Sequence, residues 1–103
     1  MNINVLTKAR ELISTPEQWA KKHQATTADG VQVPWNSDEA TCFCMMGAIN
    51  RAALDLKADS SWYVMNLVED VIDNTLPIFN DRPTTTHEDV LRAFDQAIAN
   101  ASA

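Results

Sequence analysis

At 103 residues, 46% of them hydrophobic, the chain suffices for one core and is too short for two independent ones, so residues 1–103 read as a single domain. Its net charge of -6 concentrates after residue 36, where Arg51, Lys57, Arg82 and Arg92 face eleven acids. Clustered Lys and Arg are lacking, which argues against direct nucleic-acid binding. No apolar run reaches the ~18 residues of a membrane helix, and Met1 to Leu6 lacks the basic stretch that opens an export signal. The expectation is an acidic, cytoplasmic protein without membrane contact.

Val5, Leu6, Ala9, Leu12 and Ile13 recur at helical spacing and predict a first amphipathic helix ending at Ser14-Thr15. Thr15 then caps a short helix whose first position is Pro16, with Trp19, Ala20 and His23 as its buried edge. From Gln24 to Asn36 the helical period is lost. Asp29-Gly30 between β-prone residues is the chain's one hairpin signal, near residues 26–33.

Asn36-x-x-Glu39 reads as a capping pattern and predicts a central helix from about Asp38 to Leu56. Projected at 100° per residue, Cys42, Met45, Met46, Ile49, Ala53 and Leu56 form one apolar face. Ala40, Cys44, Gly47, Ala48 and Arg51 form a second seam of mostly small residues. A helix with so little polar surface is contacted from several sides. Gly47, costing about 1 kcal/mol against Ala in a helix interior, suggests close approach of another backbone.

Ser60 can cap a fourth helix with Val64, Met65, Leu67, Val68, Val71, Ile72 and Leu76 on one face, which Pro77 breaks or closes before an Asn80-Asp81 turn. A Thr85-x-x-Glu88 capping box, with Thr86 as the other candidate cap, opens the last helix. Its stripe is Val90, Leu91, Phe94, Ala97, Ile98 and Ala101. The fold expected is all-α: four to five helices bundled around the central one, with room for a small β-hairpin at 26–33.

Several of these pieces occur together elsewhere. Ala9-Arg10-Glu11-Leu12-Ile13, Pro16-Glu17-Gln18-Trp19, Ala28-Asp29-Gly30, Cys44-Met45-Met46-Gly47-Ala48-Ile49 with Arg51-Ala52, and Phe79-Asn80-Asp81 with Thr86 and Val90 resemble, in that order, a family of small bacterial and phage proteins of unknown function. The pattern departs at Phe79, where the family tends to carry Trp, and in the longer run Thr84-Thr85-Thr86. The resemblance implies a shared fold and a bacterial or phage origin, and carries over no activity.

Chemistry-bearing residues are few. Cys44, His87 and Asp81 or Asn80 supply the residue types of a thiol nucleophile, a base and an orienting group, the basis of a small hydrolase or transferase. A helix-interior Cys44 on a small-residue seam instead fits packing, and His87 in a helix's first turn fits capping or packing. Cys42 and Cys44, two apart on a helix, would point away from each other, and the two histidines complete no familiar zinc spacing. Glu69, Asp70 and Asp73, with Asp55 and Asp59 a turn before, could offer oxygen to a hard cation, yet a regular polar helix face produces the same pattern. No metal site or cofactor is therefore expected. Arg51 and Asp81 could form a buried pair, each being the charged member of its segment.

The favoured functional class is a non-enzymatic accessory or protein-interaction domain. Its contact face would be the outward side of the fourth helix, Trp62, Tyr63, Asn66, Glu69, Asp70 and Asp73, because aromatics outside a core stripe are enriched at interfaces. The acidic rim suggests a basic partner, or self-association through the basic first third.

Overall fold

In the computed structural model, which describes residues 2–103, the apolar spacings become α1 (Asn2–Leu12), α2 (Met45–Asp55), α3 (Trp62–Glu69), α4 (Leu76–Asp81) and α5 (His87–Ser102). Met1, the first residue of the expected domain, lies outside the described residues. A 3-10 turn at Pro16–Gln18 and two short strands, β1 (Ala25–Thr26) and β2 (Cys42–Phe43), complete the chain. The architecture is mostly helical, with a small antiparallel pair in which Ala25 faces Phe43 and Thr26 faces Cys42.

The core lies where α2 meets α1 and α5 packs across α1 and α3. Leu6, Ile13, Met45, Ile49, Val64, Val68, Leu76, Val90 and Phe94 are fully buried there. Burying a side chain of this size contributes ~1.5–3 kcal/mol, which makes this contact set the main source of stability. α2 buries six of its eleven residues, against three of eleven for α1, as expected of a helix without a polar face.

The central helix begins at Met45, seven residues later than its capping pattern predicts. Thr41 to Cys44 are extended because their backbone groups are taken by the neighbouring segment: Thr41 N donates to Thr26 O and Cys44 N to Gln24 O. Asn36-x-x-Glu39 is thus a turn, held from α2 by the Arg51 guanidinium, which donates to the carbonyls of Trp35 (3.1 Å) and Ser37 (2.7 Å). At the other end Leu56 caps α2 and is exposed rather than part of an apolar face.

Asp29-Gly30 does reverse the chain. Gly30 has φ +86°, Gly30 N donates to Thr27 O, and Thr27 N donates to Val31 O. Such a φ is cheap only without a Cβ. The returning arm forms a single bridge, Thr26 to Gln32, while the named strand beside β1 comes from Cys42–Phe43.

Two helix boundaries move as well. The fourth expected helix ends at Glu69, not near Leu76, and Pro77 opens a helix instead of closing one. Thr75 is the extended cap of α4 and Pro77 sits in its first turn, where the missing N–H has no intrahelical acceptor. The Glu69 carboxylate reaches across the gap to accept from Leu76 N at 2.8 Å. Asn80-Asp81 consequently ends a helix and is not a free turn. The last cap is Thr86 with Asp89, one residue beyond the Thr85–Glu88 box; Thr85 is buried. Thr86 Oγ1 accepts from Asp89 N and the Asp89 carboxylate accepts from Thr86 N, which holds the Asp89 carboxyl below the usual range.

Candidate functional site

Asn80 is the most connected polar side chain of the protein and lies in its interior, with 1% of its surface exposed. Its Oδ1 accepts from Trp19 Nε1 (2.7 Å) and Met45 N (3.0 Å), and its Nδ2 donates to Ala20 O (3.0 Å) and Asp81 Oδ1 (2.9 Å). Asp81 Oδ1 also accepts from Lys22 N at 2.8 Å, holding Lys22 at φ +74°, a region that non-glycine residues rarely adopt. Lys21 adds a second tie. Its Nζ donates to the carbonyls of Arg82 (2.9 Å) and Thr85 (3.2 Å) and lies 5.1 Å from the Trp19 ring centre. The end of α4 therefore fastens segment 19–22 to the start of α2, and Asn80 uses both its oxygen and its amide doing so.

Arg51 takes no part in this cluster. It pairs with Asp55 at 3.2 Å and with the two loop carbonyls, so the Arg51–Asp81 pair that the sequence left open does not form and Arg51 is engaged within its own stretch of chain.

Cys44 is the residue before α2, not a helix-interior residue. With 7% of its surface exposed, its Sγ accepts from Gly47 N at 3.3 Å. Burial pushes the thiol pKa up, Asp81 adds to the rise, and the Gly47 and Met46 backbone N–H groups oppose it. His87 is turned elsewhere: its Nε2 lies 2.7 Å from Ile13 O, and its ring sits 6.0 Å from that of Trp19. No hydrogen bond joins Cys44, His87 and Asp81 among the described residues. Cys42 is likewise buried as a free thiol, with its Sγ 3.3 Å from Glu17 O, and His23, expected on a buried edge, is exposed.

A native Cys44 thiol with a raised pKa should react slowly with iodoacetamide at neutral and mildly alkaline pH. The sign for stability follows from the same shift. Cys44's contribution is full below the unfolded thiol's pKa of about 8.5 and is lost as pH rises through the higher folded value, because only the unfolded chain ionises readily. Cys44→Ala should thus lose less stability than wild type between neutral pH and about pH 9.5, measured by urea midpoints. Rapid selective alkylation near neutrality would contradict this placement.

The outward aromatic pair of α3 is where the sequence places it: Trp62 is 69% exposed and Tyr63 55%. The acids beside it are differently disposed. Glu69 caps α4, and Asp73, beyond the end of α3, makes a two-pronged pair with Arg82 (3.1 and 3.2 Å) that lowers its pKa. Asn66 is partly buried, and Asp70 is exposed and makes no ion pair among the described residues. Tyr63 and Leu67 wall a notch of about 400 Å³ with Asn2 and Ile3 of α1 and Asn100 and Ala101 of α5. Among the described residues, no group of three or more His, Cys, Asp or Glu is placed to hold a metal ion, and no helix is long and apolar enough to cross a membrane.

These features define a small, mostly helical domain whose buried polar residues are spent on holding its own segments together and whose two exposed large aromatics, Trp62 and Tyr63, sit side by side on α3. The chain belongs to a family of unknown function, DUF6197, which it matches over residues 2–100. No curated protein and no solved structure matches it.

Proposed function

We propose that the protein is a non-enzymatic protein-interaction domain of bacterial or phage origin, acting in the cytoplasm through the exposed side of α3. The observation that supports this reading is the exposure of Trp62 and Tyr63 on a helix whose opposite side, Val64 and Val68, is fully buried. Large aromatics left in water cost hydration free energy, and they are enriched at the centres of protein contacts. The remaining surface of the face is Asn66 and Asp70, since Glu69 and Asp73 are engaged within the chain. This shifts the reading from an acidic rim toward an aromatic centre.

The rival class, a thiol-dependent hydrolase or transferase, has one observation in its favour. Cys44 stands at the N-terminus of α2, where a thiolate would be stabilised. Against it stand the burial of the sulfur, its raised pKa and the engagement of His87 with Ile13.

The test is capture of partners from the native host by wild type and by a Trp62→Ala, Asp70→Lys double variant. Both positions are exposed, so stability should change by no more than about 0.5 kcal/mol while capture falls. Partner capture and oligomeric state that are both indifferent to the change would refute the interaction reading.

A further inference from the structure

Trp62 opens α3, and beyond the other end of that helix the fold leaves a second surface. Val71 and Ile72, Phe79 of α4 and Ala93 of α5 floor a groove of about 290 Å³, and Asp89, Arg92 and Gln96 edge it along α5. Val71, Ile72 and Phe79 are only partly buried, so apolar surface stays open here, and Ile78 beside Phe79 is 54% exposed. The surrounding charge is predominantly negative. Segments 69–82 and 88–96, which build the groove, hold seven acids against Arg82 and Arg92, and so carry five of the six net negative charges of the chain. Each of those bases is already matched by an acid: Arg92 pairs with Asp89, and Arg82 with Asp73, its guanidinium 5.6 Å from the Phe79 ring centre. Asp70 and Glu88 are exposed and make no ion pair among the described residues.

We propose that this groove docks a cationic amphipathic helix of another protein, with aliphatic side chains in the groove and Lys or Arg around them. The apolar floor supplies the burial, and the surplus acids supply an attraction that a neutral segment would not gain and an acidic one would meet as repulsion. A second copy of the chain is disfavoured on the same ground, since it brings a net charge of -6 to a surface of the same sign. The edge fits a helix laid alongside. Asp89, Arg92 and Gln96, spaced by three and four residues, form a polar row about 10 Å long, the length over which a helix presents apolar anchors at i, i+4 and i+7. This surface lies apart from the Trp62 and Tyr63 face, so either contact stands or fails without the other.

The test is fluorescence anisotropy with a labelled amphipathic helix made of Leu, Ala and Lys, compared with versions carrying Glu or Gln for every Lys and a version carrying Ser for every Leu. The Leu and Lys version should bind wild type more tightly than each of the others by more than about 10-fold. Ala93→Leu, which fills the floor, and Gln96→Lys, which sets a positive charge on the exposed edge, should each weaken it by about 10-fold, and Trp62→Ala should not. Circular dichroism verifies that each variant is folded, and Gln96→Lys decides the matter if Ala93→Leu is not. Binding that is absent, that is indifferent to the charge or to the leucines, or that survives Gln96→Lys undiminished overturns the proposal. A loss confined to Trp62→Ala also overturns it and places the contact on the α3 face.

Discussion

Replacing Gly47 by alanine should destabilise the protein by about 3 kcal/mol, the upper end of the usual cost of overpacking. A Cβ at this position would lie 1.9 Å from Gln24 O and 2.8 Å from Gln24 C, both backbone atoms. Relief requires Gln24, the residue just before β1, to move away, and Gln24 O is also the acceptor for Cys44 N, so the strain cannot be removed without loosening the start of α2. Helix propensity predicts the opposite sign. Alanine is the better helix former by up to about 1 kcal/mol, less in the first turn where Gly47 sits, so the direction of the change separates close backbone approach from simple flexibility. Gly47→Leu should be worse still. Urea midpoints decide the matter, and an alanine variant as stable as wild type would show that Gln24 does not press on α2.

Asn80→Leu should cost about 3–5 kcal/mol, because it leaves Met45 N without its partner in the interior and Trp19 Nε1 and Ala20 O without theirs in a half-buried setting. Asn80→Asp keeps the two acceptor bonds but turns the amide donor toward Ala20 O into an acceptor and sets a second carboxylate beside Asp81. Its defect should be largest at neutral pH and should shrink on acidification as one of the two carboxyls takes up a proton. Both variants should lose order in segment 19–22 first, read as accelerated amide exchange at Lys22, whose N–H is bonded by Asp81. Equal protection of Lys22 in wild type and Asn80→Leu would show that Asn80 is not what holds the segment.

Much of the architecture could be read from local pattern. The stripes of α1 and α5 and the Pro16 turn appear where the spacing of apolar residues and the chemistry of caps place them, because these signals act within one or two helical turns. The glycine requirement at position 47 was also legible, as a helix-breaking residue kept inside a helix. What pressed on it was not, since Gln24 lies more than twenty residues away in the chain.

The candidate site was legible in its residue types and not in its connections. Asn80 and Asp81 stood out as the polar pair most in need of a structural partner. That their partners would be Trp19, Ala20, Lys22 and Met45 depends on segments remote in sequence. Cys44 was misplaced for the same reason: its N–H and the residues before it were claimed by Gln24 and Thr26, and a helix cannot begin where the backbone is already paired in a sheet.

The sequence by itself determined the helical class, the apolar stripes of α1 and α5 and the aromatic pair outside the core, because hydrophobic periodicity and turn chemistry are local properties of the chain. Tertiary structure decided where α2 starts, that Pro77 opens α4, and that Glu69 and Asp73 serve neighbouring segments. Each of those outcomes turns on which distant backbone or side chain claims a hydrogen-bonding group first. That competition is resolved only when the whole chain has packed.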